Sequence, residues 1–279
     1  MLVDLKTILA DTREKHYAVG LFNCVTLEMT KGILQAAEEL SSPVIIGPAE
    51  SLLPGASLEE YADMMLGMAR RARVPVALHF DHGFTPELVE RAIALGFTSV
   101  MYDCSMLPFE ENVRRTREMA AKARAADCSL EAEIGHVGSN GSAEEGIART
   151  VYTQPDEALQ FAAESGCDAL AVAIGTAHGV YKAAPKLDLE CLARIADACP
   201  TPLVLHGGSG LSDDDFRACV ANGISKINIF THNNLAAARA AHEYFTPETG
   251  AFELMPYVTE AVRRETMHHM RVFGSDGKA

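Results

Sequence analysis

Three histidines close apolar runs in this chain: Leu78-His79-Phe80-Asp81-His82-Gly83, Gly175-Thr176-Ala177-His178-Gly179 and Leu203-Val204-Leu205-His206-Gly207-Gly208-Ser209-Gly210. Glycine follows His82, His178 and His206 in turn, and it permits tight turns and close backbone approach to a ligand. A single histidine at such a place is more often a structural hydrogen-bonding group. Three in equivalent contexts shift the balance, because three neutral imidazoles with an open fourth position form a ligand set for catalytic zinc. Asp81 adds an acid beside the first of them. His79 lies inside its run and reads as structural. His232 lacks the following glycine and reads as a loop residue, and His16, His136, His242, His268 and His269 fall on helical or loop patterns.

Carboxylates and a glycine-rich loop supply the remaining chemistry. Glu131 and Glu133 flank Ala132 in a β-like run and so face the same side. An inward carboxylate is costly unless a cation or donors meet it, which makes Glu133, nearer the run's end, a candidate metal ligand. The alternative is an outward, solvated pair. Asp103 ends another run and is either a second acidic ligand or a turn residue before the next helix. Gly207-Gly208-Ser209-Gly210 offers consecutive backbone N–H groups as an anion nest ahead of a helix opening near Ser212. Asn228 and Thr231 end the last β-like run. The least regular segment, His136 to Gly146, is rich in glycine and serine and reads as a lid over the pocket or a plain solvated loop.

These residues need a scaffold that brings distant strand ends together. β-like runs occur at Tyr17–Asn23, Pro43–Gly47, Pro75–Phe80, Thr98–Tyr102, Ser129–Ile134, Ala169–Ile174, Pro202–Leu205 and Ile224–Ile229. Between them lie amphipathic stretches at Glu28–Leu40, Leu58–Arg73, Pro86–Leu95, Glu110–Ala126, Asp156–Glu164, Leu187–Cys199, Asp213–Asn222 and Asn233–Tyr244. Strand and helix alternating at this spacing mean βαβ units and a parallel sheet. Eight unbroken units point to an α/β fold, a (β/α)8 TIM barrel in one domain over residues 1–279, in which all strand ends open on one pocket. The segment from Thr246 to Ala279 is an extra C-terminal helical piece, placed outside the barrel or against a partner subunit.

Composition narrows the partners. The 48% hydrophobic content fills a core, and the formal net charge of −14 argues against nucleic acid or an anionic membrane. No apolar run approaches the roughly 18 residues of a membrane span. The opening Met1-Leu2-Val3-Asp4-Leu5-Lys6 is too polar for a secretory signal. Seven scattered cysteines without a CxxC pair suit a reducing cytoplasm.

The chain resembles the class II, zinc-dependent fructose-bisphosphate and tagatose-bisphosphate aldolase family over nearly its whole length. The likeness is carried by Phe22-Asn23, Ser42-Pro43-Val44-Ile45, Leu78-His79-Phe80-Asp81-His82, Met101-Tyr102-Asp103-Cys104-Ser105 and Glu131-Ala132-Glu133-Ile134-Gly135. It continues through Ala171 to Gly179, Leu203 to Gly207, Lys226-Ile227-Asn228 and Phe273-Gly274-Ser275. The resemblance implies zinc on His82, His178 and His206, with Glu133 and Asp103 near an alternative metal position. It implies Asp81 as the proton-transfer group and Glu144 or Glu145 as the loop carboxylate that protonates the enediolate. Asn23, Gly179, Gly207, Ser209, Asn228 and Thr231 would hold the substrate and the phosphate of a dihydroxyacetone phosphate half. Backbone carbonyls of Ala177, Gly179 and Gly207 would hold a monovalent cation such as Na+ or K+. The implied activity is reversible retro-aldol cleavage of a phosphorylated ketose in carbohydrate metabolism such as glycolysis, by a homodimer or higher homo-oligomer.

Three departures stand out, the first bearing on which loop carboxylate donates the proton and the other two on the substrate. The family's lid usually reads Gly-Gly-x-Glu-Asp, whereas Gly138-Ser139-Asn140-Gly141-Ser142 precedes Glu144-Glu145 here. Ala49 stands where many relatives carry Ser or Thr. Pro256 and Thr259 stand where bisphosphate enzymes bring an arginine, although Arg263 and Arg264 are near. A ketose monophosphate, or a keto-deoxy-phosphogluconate-type substrate without a second phosphate, is therefore the alternative. A zinc hydrolase on a barrel would open with His-x-His, a spacing that His79 and His82 do not have. A Schiff-base enzyme would need a strand-end lysine, and Lys226 and Lys182 are poorly placed for it. A phosphosugar-binding barrel with a dead site would lack a ligand, and none is missing.

Overall fold

The computed structural model describes residues 1–135, 138–139, 152–178 and 186–279, with 138–139 and 177–178 as backbone alone. Eight parallel strands close into a barrel: β1 (Val19–Asn23), β2 (Val44–Gly47), β3 (Val76–Gly83), β4 (Ser99–Tyr102), β5 (Ser129–Ile134), β7 (Ala169–Val172), β9 (Leu203–Leu205) and β10 (Ile224–Ile229). β1 pairs with β10 on one side and β2 on the other, which seals the cylinder. Two short strands, β6 (Gly138–Ser139) and β8 (Ala177–His178), pair in parallel with each other after β5 and β7. The backbone of His178 is thereby fixed beyond the C-terminal end of the barrel.

Helices α2 (Leu27–Glu39), α3 (Leu58–Arg71), α4 (Pro86–Leu95), α5 (Phe109–Ala125), α6 (Pro155–Ser165), α7 (Leu189–Ala198), α8 (Asp213–Ala221) and α9 (Thr231–Tyr244) return the chain between strands or follow the last one. Their starts follow local chemistry. Ser57 and Ser212 form capping boxes with Glu60 and Asp215, while Pro86 and Pro155 open α4 and α6. The strands are buried on both faces, and so they read as apolar runs rather than alternating ones.

Two further helices flank the barrel, the first of them outside the sequence expectation. Helix α1 (Leu5–Leu9), capped by Asp4, puts Leu5, Ile8 and Leu9 under the barrel, against Val19, Leu21, Ile45, Ala77, Ala171 and Val204. Helix α10 (Ala251–Phe273) is the expected tail, and it packs along α2 and α9 on the outside. A Cβ on Gly32 would come within 2.6 Å of the Thr259 carbonyl oxygen, so glycine permits α2 and α10 to touch. The run Phe273-Gly274-Ser275 closes that helix: Gly274 takes the left-handed cap, and the Ser275 hydroxyl lies 2.8 Å from that of Ser42.

The barrel interior changes character along its axis. Its lower part is the apolar plug just described, whereas towards the strand ends it is lined by Asn23, His79, Asp81, Glu131, Glu133, His206, Lys226 and Asn228, all buried. Burying so many polar groups is tolerable only when each finds a partner. Their partners define the site.

Candidate active site

Alternation along β3 would send Asp81 inward and His82 outward. The β3–β4 register shifts between Phe80 and Gly83, and His82 adopts a left-handed φ of 43°. This bulge inserts a residue and re-aims the chain, so that Asp81 and His82 both face the barrel mouth. Left-handed backbone is uncommon for a residue with a Cβ, and it concentrates at functional sites. The neighbouring strand yields space: a Cβ on Gly47 would sit 1.7 Å from the His79 carbonyl oxygen. Asp81 N–H donates to the Pro48 carbonyl at 2.9 Å, which ties the bulge to the segment after β2.

Two carboxamides grip Asp81. Asn228 Nδ2 donates to Oδ1 at 3.0 Å and Asn23 Nδ2 to Oδ2 at 3.2 Å. Burial alone would raise this carboxyl, but nearby positive groups, His82 foremost and then Lys226, hold it below its ordinary value. The Asn228 amide is itself oriented, since its Oδ1 accepts from Lys226 Nζ at 2.7 Å. Lys226 also lies 2.9 and 3.1 Å from the two oxygens of Glu131, and both side chains are fully buried. Glu131 Oε1 in turn stands 3.0 Å from His206 Nε2. A continuous buried chain therefore runs from Asp81 through Asn228, Lys226 and Glu131 to His206.

The histidines meet at the mouth. The rings of His82 and His206 lie 4.4 Å apart, edge to face. His82 Nδ1 is 2.9 Å from Asp103 Oδ2, and His206 Nδ1 is 3.1 Å from Glu133 Oε2. Asp103 also accepts from Ser105 N–H and does not cap the next helix, whose first turn follows Pro108. Donor atoms of Asp81, His82 and His206 fall within 4.8 Å of one another, as do those of His82, Asp103 and Glu133. His79 is fully buried below, with its Nδ1 2.7 Å from Ser99 Oγ, in keeping with a structural role.

A divalent cation suits this donor set. Imidazole nitrogens with carboxylate oxygens are zinc-type ligands; Asp103 orients the His82 ring from Nδ1, in the manner of metal-bound histidines, whereas His206 faces a carboxylate at each nitrogen. Charge balance points the same way. Burial would lower the His206 imidazole, yet hydrogen bonds to Glu131 and Glu133 push it up to about 10, so the ring carries a positive charge that a metal ion would replace.

The phosphate candidates divide. Gly207 has a φ of 68°, and Ser209 and Asn228 are largely buried. The first turn of α8 already holds Asp213, Asp214 and Asp215, which satisfy its positive end. Helix α9 begins at Thr231 directly after β10, with no acid in its first turn and no side-chain cap. Thr231 and the Gly207–Gly210 loop therefore offer the better anion donors. Gly179, Glu144 and Glu145 lie outside the described residues. For Ala177 and His178 the backbone alone is described.

Sequence reasoning left Glu131 without a partner and set Lys226 aside. The signal of Lys226 was visible, since Lys226 and Asn228 alternate on one side of β10, whose other residues are three isoleucines and Ser225. His232 is corrected: it lies in the first turn of α9, not in a loop, and its Nδ1 is 3.0 Å from His269 Nε2.

Comparison with known proteins agrees with this geometry. The family model for class II fructose-bisphosphate aldolase matches residues 3–278. The chain is 42% identical, over the full length of both, to the uncharacterized protein YdjI of Escherichia coli K12, and 38% identical to a fructose-bisphosphate aldolase of Geobacillus stearothermophilus, covering 100% of this chain and 99% of that one. The crystal structure of the YdjI aldolase superposes with a TM-score of 0.91 over both whole chains at 40% identity. A putative fructose-1,6-bisphosphate aldolase from Coccidioides immitis gives 0.88 at 31% identity, covering 98% of this chain and 97% of that one. A family model that matches nearly the whole chain, and a named relative at 38% identity over the full length of this chain, show that the chain belongs to the class II fructose-bisphosphate aldolase family.

Proposed function

We propose that this protein is a zinc-dependent aldolase that cleaves a phosphorylated ketose reversibly to dihydroxyacetone phosphate and an aldehyde. The observation that carries the reading is the convergence of Asp81, His82 and His206 at the mouth, with Asp81 held by two amide donors. His82, His178 and His206 would hold the ion, with Asp103 and Glu133 beside an alternative position. Zinc supplies Lewis-acid polarisation of the ketose carbonyl and charge stabilisation as the carbon–carbon bond breaks.

The chain's own residues do the rest. Asp81 takes the proton from the hydroxyl on the carbon beyond the scissile bond and returns it in condensation. It is suited to this because it is ionised, and both of its oxygens accept from fixed donors, which sets its direction. Lys226 and Glu131 keep Asn228 and His206 in register. Gly179, Gly207, Ser209, Asn228 and Thr231 bind the phosphate, and carbonyls of Ala177, Gly179 and Gly207 take a monovalent cation. Glu144 or Glu145 returns a proton to the enediolate once the loop excludes water. We infer that the protein is a cytoplasmic homo-oligomer that acts on a small sugar phosphate and engages neither nucleic acid nor membrane, on the strength of its acidic net charge. No described helix is long and apolar enough to cross a membrane.

Three observations favour a ketose 1-phosphate over a bisphosphate. Ala49, bridged to Asp81 by backbone pairing, brings only a buried methyl to the substrate's distal side. Thr259 packs onto α2. Arg263 and Arg264 are occupied by Glu260, and Arg263 also by Glu39. Without a cationic fork a second phosphate loses charge-assisted bonds worth about 1.5–3 kcal/mol each. The test is a coupled assay for dihydroxyacetone phosphate with zinc-loaded protein on fructose and tagatose 1,6-bisphosphates and a panel of ketose 1-phosphates. Turnover on the 1-phosphates is expected. A strong preference for a bisphosphate would overturn the distal assignment, and no dihydroxyacetone phosphate from any member would overturn the function.

A further inference from the structure

We propose that His232, Glu265 and His269 form a second divalent-cation site where the first turn of α9 packs against α10, with zinc as the cation of matching chemistry. His232 Nδ1 lies 3.0 Å from His269 Nε2 and 4.0 Å from Glu265 Oε1, and donor atoms of all three residues fall within 4.8 Å of one another.

One member of the group is set up in advance. His269 Nδ1 donates to the Glu265 backbone carbonyl at 2.9 Å, which fixes the tautomer and leaves the Nε2 lone pair aimed at His232. A second hydrogen bond of this kind is what orients metal-bound imidazoles in general. The ring is wedged by the aromatic edges of Phe22, Phe216 and Phe273, at 6.4, 5.9 and 5.7 Å between centroids. Burial holds His269 neutral, pushing it down to about 4, and lowers His232 as well, so both rings retain lone pairs for a cation.

Geometry and access fit a cation from solvent. Tetrahedral zinc with nitrogen and oxygen bonds of about 2.0–2.1 Å separates its ligand atoms by roughly 3.4 Å. The imidazole pair would open by about 0.4 Å, and Glu265 Oε1, 4.0 Å from His232 Nδ1 and 3.7 Å from His269 Nδ1, would swing in by about 0.6 Å or more. His232 would move its proton from Nδ1 to Nε2, keeping the ring neutral. The His269 side chain is 3% exposed, against 29% for His232 and 35% for Glu265. One ligand is thus a buried anchor, while the other two face water, which fills the fourth position. Of the surrounding charged groups, Glu265 and Asp213 are acidic, Asp213 being paired with His268 at 2.9 Å, and Arg239 opposes them. A cation here would tie the start of α9, one residue after Thr231, to α10.

The test is zinc titration of the metal-stripped full chain, read by native mass spectrometry and by calorimetry. The parent protein is expected to bind one equivalent more than His232→Gln. In His232→Gln that equivalent weakens at least about a hundredfold, since losing even an outer-shell partner costs about 10–100-fold in metal affinity. Glu265→Gln, at a half-exposed position, should lose the same equivalent without disturbing the core. In a His82→Ala background, one equivalent should remain, and His232→Gln should remove it. Unchanged stoichiometry and affinity in both His232→Gln and Glu265→Gln would overturn the proposal, whatever happens at the barrel mouth.

Discussion

Replacing Lys226 by methionine tests the buried chain that links Asp81 to His206. Methionine keeps the apolar length of lysine but removes the ammonium that lies 2.9 and 3.1 Å from Glu131 and 2.7 Å from Asn228 Oδ1. Glu131 is fully buried and would keep His206 at 3.0 Å, with His79 Nε2 farther off at 3.9 Å. Removing one member of a buried ion pair costs about 3–5 kcal/mol, because the other charge is stranded. The surviving bond to His206 places the expected loss near the lower end, about 3 kcal/mol, which a chain of ordinary stability of about 5–15 kcal/mol survives. Urea unfolding measures it. The double variant Lys226→Met/Glu131→Gln removes both charges and should regain at least about 1 kcal/mol of that loss. Activity should not follow stability. With the Asn228 amide no longer oriented, Asp81 loses a fixed donor in both variants, and kcat should fall by roughly 10–100-fold. A single variant that loses less than about 1 kcal/mol, or a double variant less stable than the single, would refute this reasoning.

Asp81→Ala should still bind zinc yet lose about 10²–10⁴-fold in kcat, as expected for a general base; unchanged turnover would remove Asp81 from that role. Chelation should abolish activity and zinc or cobalt should restore it, while borohydride with substrate should leave the protein active, since Lys226 is committed to its ion pair. Gly47→Ala should destabilise the fold by about 3 kcal/mol or more, because its methyl would collide with the His79 carbonyl; thermal unfolding reads this. Glu50 accepts from Phe84 N–H, Thr85 N–H and the Thr85 hydroxyl, and so holds the turn after His82. Glu50→Ala should cost about 1.5–3 kcal/mol in urea unfolding and weaken zinc binding in calorimetry.

Much of this architecture is legible from residue order because barrel strands buried on both faces appear as short apolar runs. The spans of β5, β10 and α4 coincide with the runs that announce them. Features that depend on distant contacts are harder. Five-residue α1 is too short for periodicity to stand out, although Asp4 followed by Leu5, Ile8 and Leu9 is a capped apolar stripe. The bulge at His82 leaves no mark in composition, because a positive φ at histidine follows from packing by Pro48 and Gly47 rather than from local preference. Glu131 and Glu133 could be assigned to one face, but not given partners, since Lys226 and His206 come from strands some 75 to 95 residues away. The pairing of His232 with His269 joins two helices whose patterns, taken separately, say nothing of each other.

The central claim is that one divalent ion sits between His82 and His206 at the barrel mouth. An anomalous difference map at the zinc absorption edge, from crystals of the zinc-loaded protein, tests it most directly. A single strong peak about 2.0–2.1 Å from a nitrogen of each ring is the predicted result. A fully loaded protein whose map is empty at that place, with both rings turned away from a common centre, would contradict the account.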